Sequence, residues 1–105
     1  MKTFAKQVYT LLSRVPKGYV TTYKALANNV DSRAYRAIGQ LMRHNPDAPI
    51  VPCHRVVRSD GRIGGYKGTI AGREIRNKIA LLQREGVEIK DGKIVNFERV
   101  LYKFN

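Results

Sequence analysis

The run Ile50-Val51-Pro52-Cys53-His54-Arg55-Val56-Val57 sets a thiol beside an imidazole and a guanidinium, and Cys53 is the one cysteine among 105 residues. A cysteine is a strong nucleophile only as its thiolate, which nearby positive charge or a hydrogen-bonded histidine favours. His54 and Arg55 are the candidates for that environment. Neighbouring side chains of an extended chain point to opposite sides, so a proton path from Cys53 to His54 needs a turn or a bridging water, and the water is the expectation. A histidine that takes up a proton also needs an orienting acid. Glu85, near the end of the last helix, is available, although spacing alone does not bring the three together. The ordinary fate of a lone intracellular cysteine is that of a small buried hydrophobe, and Tyr23 and Tyr66 are by type half-buried core aromatics with a polar tip.

The same count limits other chemistry. A single thiol forms no internal disulfide, and with two histidines, His44 and His54, it falls short of the four ligands of a structural zinc site. No metal and no cofactor are expected. The start Met1-Lys2-Thr3-Phe4 leads into mixed polar and apolar sequence, with no signal-like apolar stretch and no run of membrane-spanning length. The expectation is a cytoplasmic protein in a reducing compartment, with no membrane partner.

Twenty Lys and Arg against eight Asp and Glu leave a formal net charge of +12. Such an excess attracts phosphate backbones by counterion release and long-range steering, which makes nucleic acid the expected partner. With 43% of residues hydrophobic the chain can fill a core, and 105 residues are the size of one domain.

The elements that must position the thiol follow from periodicity. Thr3 is placed to cap a first helix in which Phe4, Val8, Leu11, Leu12 and Val15 recur at helical spacing, ending before Pro16 and Gly18. Thr21 or Thr22 caps a short second helix, Tyr23 to Ala27, that stops near Asn28-Asn29. Ser32 caps a third, with Ala34, Ala37, Ile38, Leu41 and Met42 on its apolar stripe and Arg33, Arg36, Gln40 and Arg43 largely off it. Short helix, turn and basic amphipathic helix read as helix-turn-helix. Three prolines between Asn45 and Pro52 block helix and leave the reactive run on a constrained loop.

Beyond it, Val56-Val57 and Arg62-Ile63 around Ser59-Asp60-Gly61 predict a small hairpin, and Gly64-Gly65-Tyr66-Lys67-Gly68 a flexible loop that a flat ligand can approach. Ile70, Ile75, Ile79 and Leu82 mark a last long helix closed by Gly86. Val87-Glu88-Ile89 and Ile94-Val95 around Asp91-Gly92 predict a second hairpin, and the apolar residues Phe97, Val100, Leu101, Tyr102 and Phe104 a segment that packs back on the core. The fold class is α/β, mostly helical: one small domain over residues 1–105 with a winged-helix-like helix-turn-helix unit and short β-hairpins.

These motifs resemble a family. Pro52-Cys53-His54-Arg55-Val56, preceded by Asn45-Pro46 and followed by Gly64-Gly65-Tyr66, resembles the active-site region of the O6-alkylguanine-DNA alkyltransferases, also called methylated-DNA-protein-cysteine methyltransferases. The resemblance runs from about Phe4 to Gly86 and leaves 87–105 as an extension. It takes in Gly18-Tyr19-Val20-Thr21-Thr22-Tyr23, Ala34-Tyr35-Arg36-Ala37-Ile38-Gly39 and Leu81-Leu82-Gln83-Arg84-Glu85-Gly86. It implies single-turnover, irreversible transfer of the alkyl group from O6-alkylguanine in double-stranded DNA to Cys53, by a monomer, after the base is flipped. His54 would relay the thiol proton through water, Glu85 would hold His54, and Asn45 would brace the loop. Arg36 would fill the space of the extruded base and Tyr23 would help rotate the nucleotide. Thr22, Arg33 and Arg43 complete the DNA contacts. Tyr66 and Met42 would wall the base pocket, and backbone groups near Val56 and Lys67 would read the base edge.

The chain departs from the family's pattern in two places. Full-length members usually carry an additional N-terminal domain, whereas this chain starts almost at the first helix of the catalytic one. Lys67 stands where many members have a small residue or arginine. A sister group, the alkyltransferase-like proteins, binds alkylated guanine without repairing it and carries tryptophan in place of the reactive cysteine. The alternatives to repair are therefore a lesion-binding protein that recruits other factors and a basic helix-turn-helix regulator with an inert cysteine.

Overall fold

The computed structural model describes residues 2–30, 35–43, 51–66 and 72–104, with the backbone alone at Lys2, Thr3, Tyr35 and Arg36. In chain order the elements are α1 (Lys2–Leu12), β1 (Thr21–Thr22), α2 (Tyr23–Asn29), α3 (Tyr35–Arg43), a 3-10 turn (Cys53–Arg55), β2 (Val56–Val57), α4 (Arg73–Arg84), β3 (Ile89–Lys90), β4 (Lys93–Ile94) and α5 (Phe97–Val100). The result is a small mixed α/β fold, mostly helical, with a helix-turn-helix-like arrangement in α2 and α3.

The apolar spacing of α1 buries Val8 and Leu12 completely, and Val15 joins them from the turn that follows. The helix starts at Lys2, one residue ahead of the Thr3 expected to cap it. The phenol of Tyr9 donates to the Leu41 carbonyl at 2.7 Å and so ties α1 to α3. Thr22 is the cap of α2: its backbone is extended and its hydroxyl accepts from Ala25 N at 3.0 Å, satisfying one of the helix's unpaired donors. Leu26 and Ala27 of α2 and Ile38 and Met42 of α3 close the same core.

β2 shows why the reactive run sits where it does. Successive side chains of a strand point to opposite faces, so Val56 enters the cluster of Val8, Leu12, Leu26, Ile38 and Cys53, while Val57 enters a second cluster with Val20, Ile63, Leu82, Val87 and Ile94. The expected pairing of Val56-Val57 with Arg62-Ile63 is replaced. β2 pairs in parallel with β1, Thr21 opposite Val56 and Thr22 opposite Val57. The chain does double back at Ser59-Asp60-Gly61, where Arg58 N donates to Arg62 O at 2.9 Å and Gly61 takes φ +87°, but the returning arm pairs with β4. Burial on both faces decides this: Val56 and Val57 are each fully buried, and a free two-residue hairpin would leave one face in water.

The second hairpin, β3–β4, pairs Ile89 with Ile94 and Lys90 with Lys93. Asp91 at φ 52° and Gly92 at φ 75° supply the two left-handed residues that a tight two-residue connection requires. Among the described residues no helix is long and apolar enough to cross a membrane.

Candidate active site

Pro52 precedes a single 3-10 turn, in which Arg55 N donates to Pro52 O at 2.9 Å and Val56 N donates to Cys53 O. The extended backbone expected here is thus a turn, and it sends His54 and Arg55 toward the end of α4. There Glu85, the residue after the last helical turn, receives both. His54 Nε2 lies 3.0 Å from Glu85 Oε2, Arg55 Nη2 donates to the same oxygen at 2.6 Å, and Arg55 Nε donates to Oε1 at 2.9 Å. Arg55 Nη1 also donates to Val15 O at 2.6 Å. The guanidinium expected near the thiol is therefore spent on the acid and on the loop after α1.

These partners settle the protonation states. Burial pushes Glu85 upward, but the hydrogen bonds from Arg55 and then His54 outweigh it and hold the carboxyl below its usual range. An ionised carboxylate only accepts, so the hydrogen between the two residues sits on His54 Nε2 and the lone pair on Nδ1. Burial is also the main influence on His54, lowering its pKa below the ordinary imidazole value against the pull of Glu85. The ring is 1% exposed, and Nδ1 is buried with no hydrogen-bond partner among the described residues. Burial thus disfavours a charged imidazole here.

Cys53 itself is 3% exposed and lies in one buried cluster with Met42, Val56 and Tyr66, against which Tyr23 packs. Its surroundings are not those of an inert hydrophobe. Burial, followed by the charge of Cys53, drives the Tyr66 pKa up. The same two causes raise Tyr23. Beneath the site lies a buried cation that the sequence reading did not single out. Lys78 Nζ donates to the carbonyls of Val56 (2.8 Å), Ile63 (2.6 Å) and Gly65 (3.0 Å). Three acceptors serve the three protons of an ammonium, while burial pushes the pKa down to about 7 and Cys53 opposes the fall. Its signal was present in the sequence as a lysine on the apolar stripe of α4, three residues after Ile75 and four before Leu82.

Of the residues expected at the site, Cys53, His54, Glu85, Tyr23, Tyr66, Met42 and Val56 are brought together. The expected base-reading groups of Val56 already have partners, its N–H at Cys53 O and its carbonyl at Lys78. Thr22 is 6% exposed with its hydroxyl committed to the cap, so its place is inside α2's start and not on an open surface. Arg43 is exposed in the last turn of α3, and Arg36 lies in the first turn of that helix. Arg33, Asn45 and Lys67 lie outside the described residues, as does the side chain of Arg36. The Ser32 cap expected for α3 lies there too.

Cys53 thus lies buried next in sequence to a histidine held by Glu85, in the same core as a helix-turn-helix-like pair of helices. The sequence model described as "6-O-methylguanine DNA methyltransferase, DNA binding domain" matches residues 3–87, and the chain belongs to that family. It is 50% identical over 72 residues to a methylated-DNA–protein-cysteine methyltransferase of Pyrobaculum aerophilum, covering 69% of this chain and 45% of that one. It is 40% identical over 99 residues to a bifunctional methyltransferase/endonuclease of Picrophilus torridus, covering 93% of this chain and 30% of that one. Its structure is similar to that of S. pombe Atl1 in complex with damaged DNA containing O6-carboxymethylguanine, with TM-score 0.78, 31% identity and coverage of 98% and 97%. The chain spans between 29% and 54% of the length of the curated relatives it matches.

Proposed function

We propose that the chain repairs O6-alkylguanine in double-stranded DNA by taking the alkyl group onto Cys53. The observation that carries this reading is His54, next in sequence to the only thiol, held at Nε2 by Glu85 with a buried Nδ1 that has no partner among the described residues. The reacting carbon lies within the base stack, so the nucleotide must be swung out before sulfur can reach it, at a cost of a few kcal/mol that is least for a poorly paired base. The net charge of +12 and the basic residues of α3, Arg36 and Arg43, supply phosphate attraction, and Arg36 fills the vacated stack.

In the transfer step His54 Nδ1 takes the thiol proton through a water, and the thiolate attacks the alkyl carbon in line. The S–C bond forms as the C–O6 bond breaks, the electron pair goes to guanine, and the relayed proton restores a neutral base. Tyr23 and Tyr66, whose raised pKa values keep them protonated, donate hydrogen bonds to the pair of reactants. The product is a thioether with no easy return to thiol, so one molecule repairs one lesion. With 3% of Cys53 exposed, base entry parts the wall beside it, which favours a base seated in the site over reagents in solution.

A second reading is favoured by one observation: the likeness to Atl1 extends over 98% of this chain, whereas solved methyltransferases such as the M. tuberculosis OGT–DNA complex cover 78%. On that reading the chain binds the lesion and recruits other factors without transfer. Incubation with a duplex containing one O6-methylguanine, followed by mass spectrometry, separates the two. Repair adds one methyl to the Cys53 peptide, stoichiometrically, and nothing to Cys53→Ser. Lesion-selective binding with an unchanged protein mass would establish the recruiter. Arg36→Ala is expected to slow transfer from duplex more than from the free base, since only the duplex requires extrusion.

A further inference from the structure

Residues 87–104 lie beyond the motifs behind the family likeness, whose domain model ends at residue 87. Their backbone contacts nevertheless fall on two stretches that lead into the site. The β3–β4 hairpin takes 61–63 as a third strand: Ile94 N donates to Gly61 O at 2.8 Å, Ile63 N donates to Gly92 O at 3.0 Å, and Arg62 bridges Lys93. Phe97 covers the turn so closely that a Cβ on Gly61 would sit 3.2 Å from its ring. Further on, Val20 N donates to Val100 O at 2.9 Å and Tyr102 N to Val20 O at 2.8 Å, setting Leu101 beside Val20 as a single parallel bridge at the start of β1.

Val20 leads directly into the strand and cap that start α2 at Tyr23, and Ile63 lies three residues before Tyr66. The two phenols that flank Cys53 are thus reached by the two backbone stretches this one segment grips. Ile63 is held from both sides, its carbonyl by Lys78 inside and its N–H by Gly92 outside. A two-residue strand pair such as β1–β2 is too short to hold its own geometry, and the Val20–Leu101 bridge with its two hydrogen bonds adds support at its start.

We infer that residues 87–104 are a positioning element of the Cys53 site, setting the separation of the Tyr23 and Tyr66 walls and with it the fit of an alkylated base. The inference rests on the proposed binding of such a base between those walls. It assigns the segment a part in lesion discrimination, separate from the thiol chemistry that His54, Glu85 and Lys78 serve.

Tyr102→Pro removes the N–H that Val20 O receives. Leu101, at φ −72° and ψ 115°, already has the extended backbone that proline requires of its predecessor, while the change also removes a ring set edge-on to Tyr19 and Phe104, so the unfolding midpoint is read with it. Phe97→Ala uncovers the turn at Gly61, and Glu98→Ala alters an exposed residue of the same segment as a control. For each full-length variant, affinity is measured for a duplex with one O6-methylguanine and for the undamaged duplex. The rate of Cys53 with iodoacetamide and the urea unfolding midpoint are measured alongside. Tyr102→Pro and Phe97→Ala are expected to cut the lesion-over-undamaged affinity ratio about fivefold, the worth of one hydrogen bond or a little more, with undamaged affinity and iodoacetamide rate unchanged. Glu98→Ala should match the parent. A parental ratio in both folded variants overturns the inference, as does an equal loss on undamaged duplex, which would mark general loosening of the helix-turn-helix. The parent protein reads the underlying proposal separately. If it prefers the lesion but never gains a methyl, transfer fails while the ratio still decides the inference, and if it shows no lesion preference, the base-binding site and this inference fall together.

Discussion

His54 and Glu85 stand thirty-one positions apart in the chain and 3.0 Å apart in space, joined by a bond in which Nε2 carries the proton and the ionised acid accepts it. The same carboxylate takes two further bonds from Arg55. Its position is fixed by packing as well as charge. Glu85 closes α4 with its N–H on Leu81 and Leu82, and Gly18 approaches so closely that a Cβ there would lie 3.3 Å from the Glu85 carbonyl oxygen.

Glu85→Gln therefore removes both the orienting acid and the counter-charge of a guanidinium that is 11% exposed. Leaving a buried charge unpaired costs about 3–5 kcal/mol, and loss of a positioned base slows transfer by about 100-fold or more. Urea unfolding and single-turnover methyl transfer check the two effects. Wild-type transfer in the folded variant would remove Glu85 from the proton path.

Stability should rise with pH between about 6 and 9. The His54 pKa is depressed, so below its ordinary 6.5 the unfolded chain binds a proton that the folded chain refuses, and stability falls as pH falls. Lys78 drops from 10.5 to about 7, so between those values the unfolded chain again holds the extra proton, and stability climbs as pH rises through the window. One such proton amounts to at most about 1.4 kcal/mol per pH unit. Above pH 10 the raised Tyr23 and Tyr66 reverse the sign. Urea midpoints from pH 6 to 9 that stay level would contradict the buried states of both groups.

Lys78→Met fills the same space without a charge. It leaves three carbonyls, those of Val56, Ile63 and Gly65, without their donor, and it takes away a buried basic group that interacts electrostatically with Cys53. The expected result is a roughly tenfold slower reaction of Cys53 with iodoacetamide at pH 7, since an opposite charge nearby is what favours a thiolate. The alkaline part of the stability slope should vanish with it. An unchanged thiol rate would reduce Lys78 to a structural tie.

Thr22→Ala removes the hydroxyl that accepts from Ala25 N and should lower stability by about 1 kcal/mol, whereas Thr22→Ser should keep most of it. A urea comparison of the two variants with the parent tests the cap, and equal losses in both would assign the effect to the missing methyl group.

The cysteine run, the helix-turn-helix spacing, the cap at Thr22 and the Asp91-Gly92 hairpin were legible because each rests on a few consecutive residues: residue type, a 3.6 or 2.0 period, or a required left-handed backbone. The family likeness, carried by such local motifs in order, brought Glu85 to His54 ahead of any coordinates. Partners chosen across the chain were not legible. β2 turned from its neighbour Arg62-Ile63 to Thr21-Thr22, thirty-five positions away, because both its faces had core to meet. Arg55, read from its place in the sequence as a companion of the thiol, bonds the acid instead, since the 3-10 turn at Cys53–Arg55 brings its guanidinium to Glu85.

By itself, then, the amino-acid order determined which groups are candidates for chemistry, where the helices and the Asp91-Gly92 hairpin fall, and a net charge of the kind that attracts polyanions. Tertiary structure alone decided the electrical state of those groups. Burial lowers His54 and Lys78 and raises the two phenols, and burial is a property of everything that packs around a side chain. It likewise decided the role of residues 87–104, whose sequence shows a hairpin and an apolar run, and whose grip on Val20 and Ile63 exists only where the two stretches meet in space.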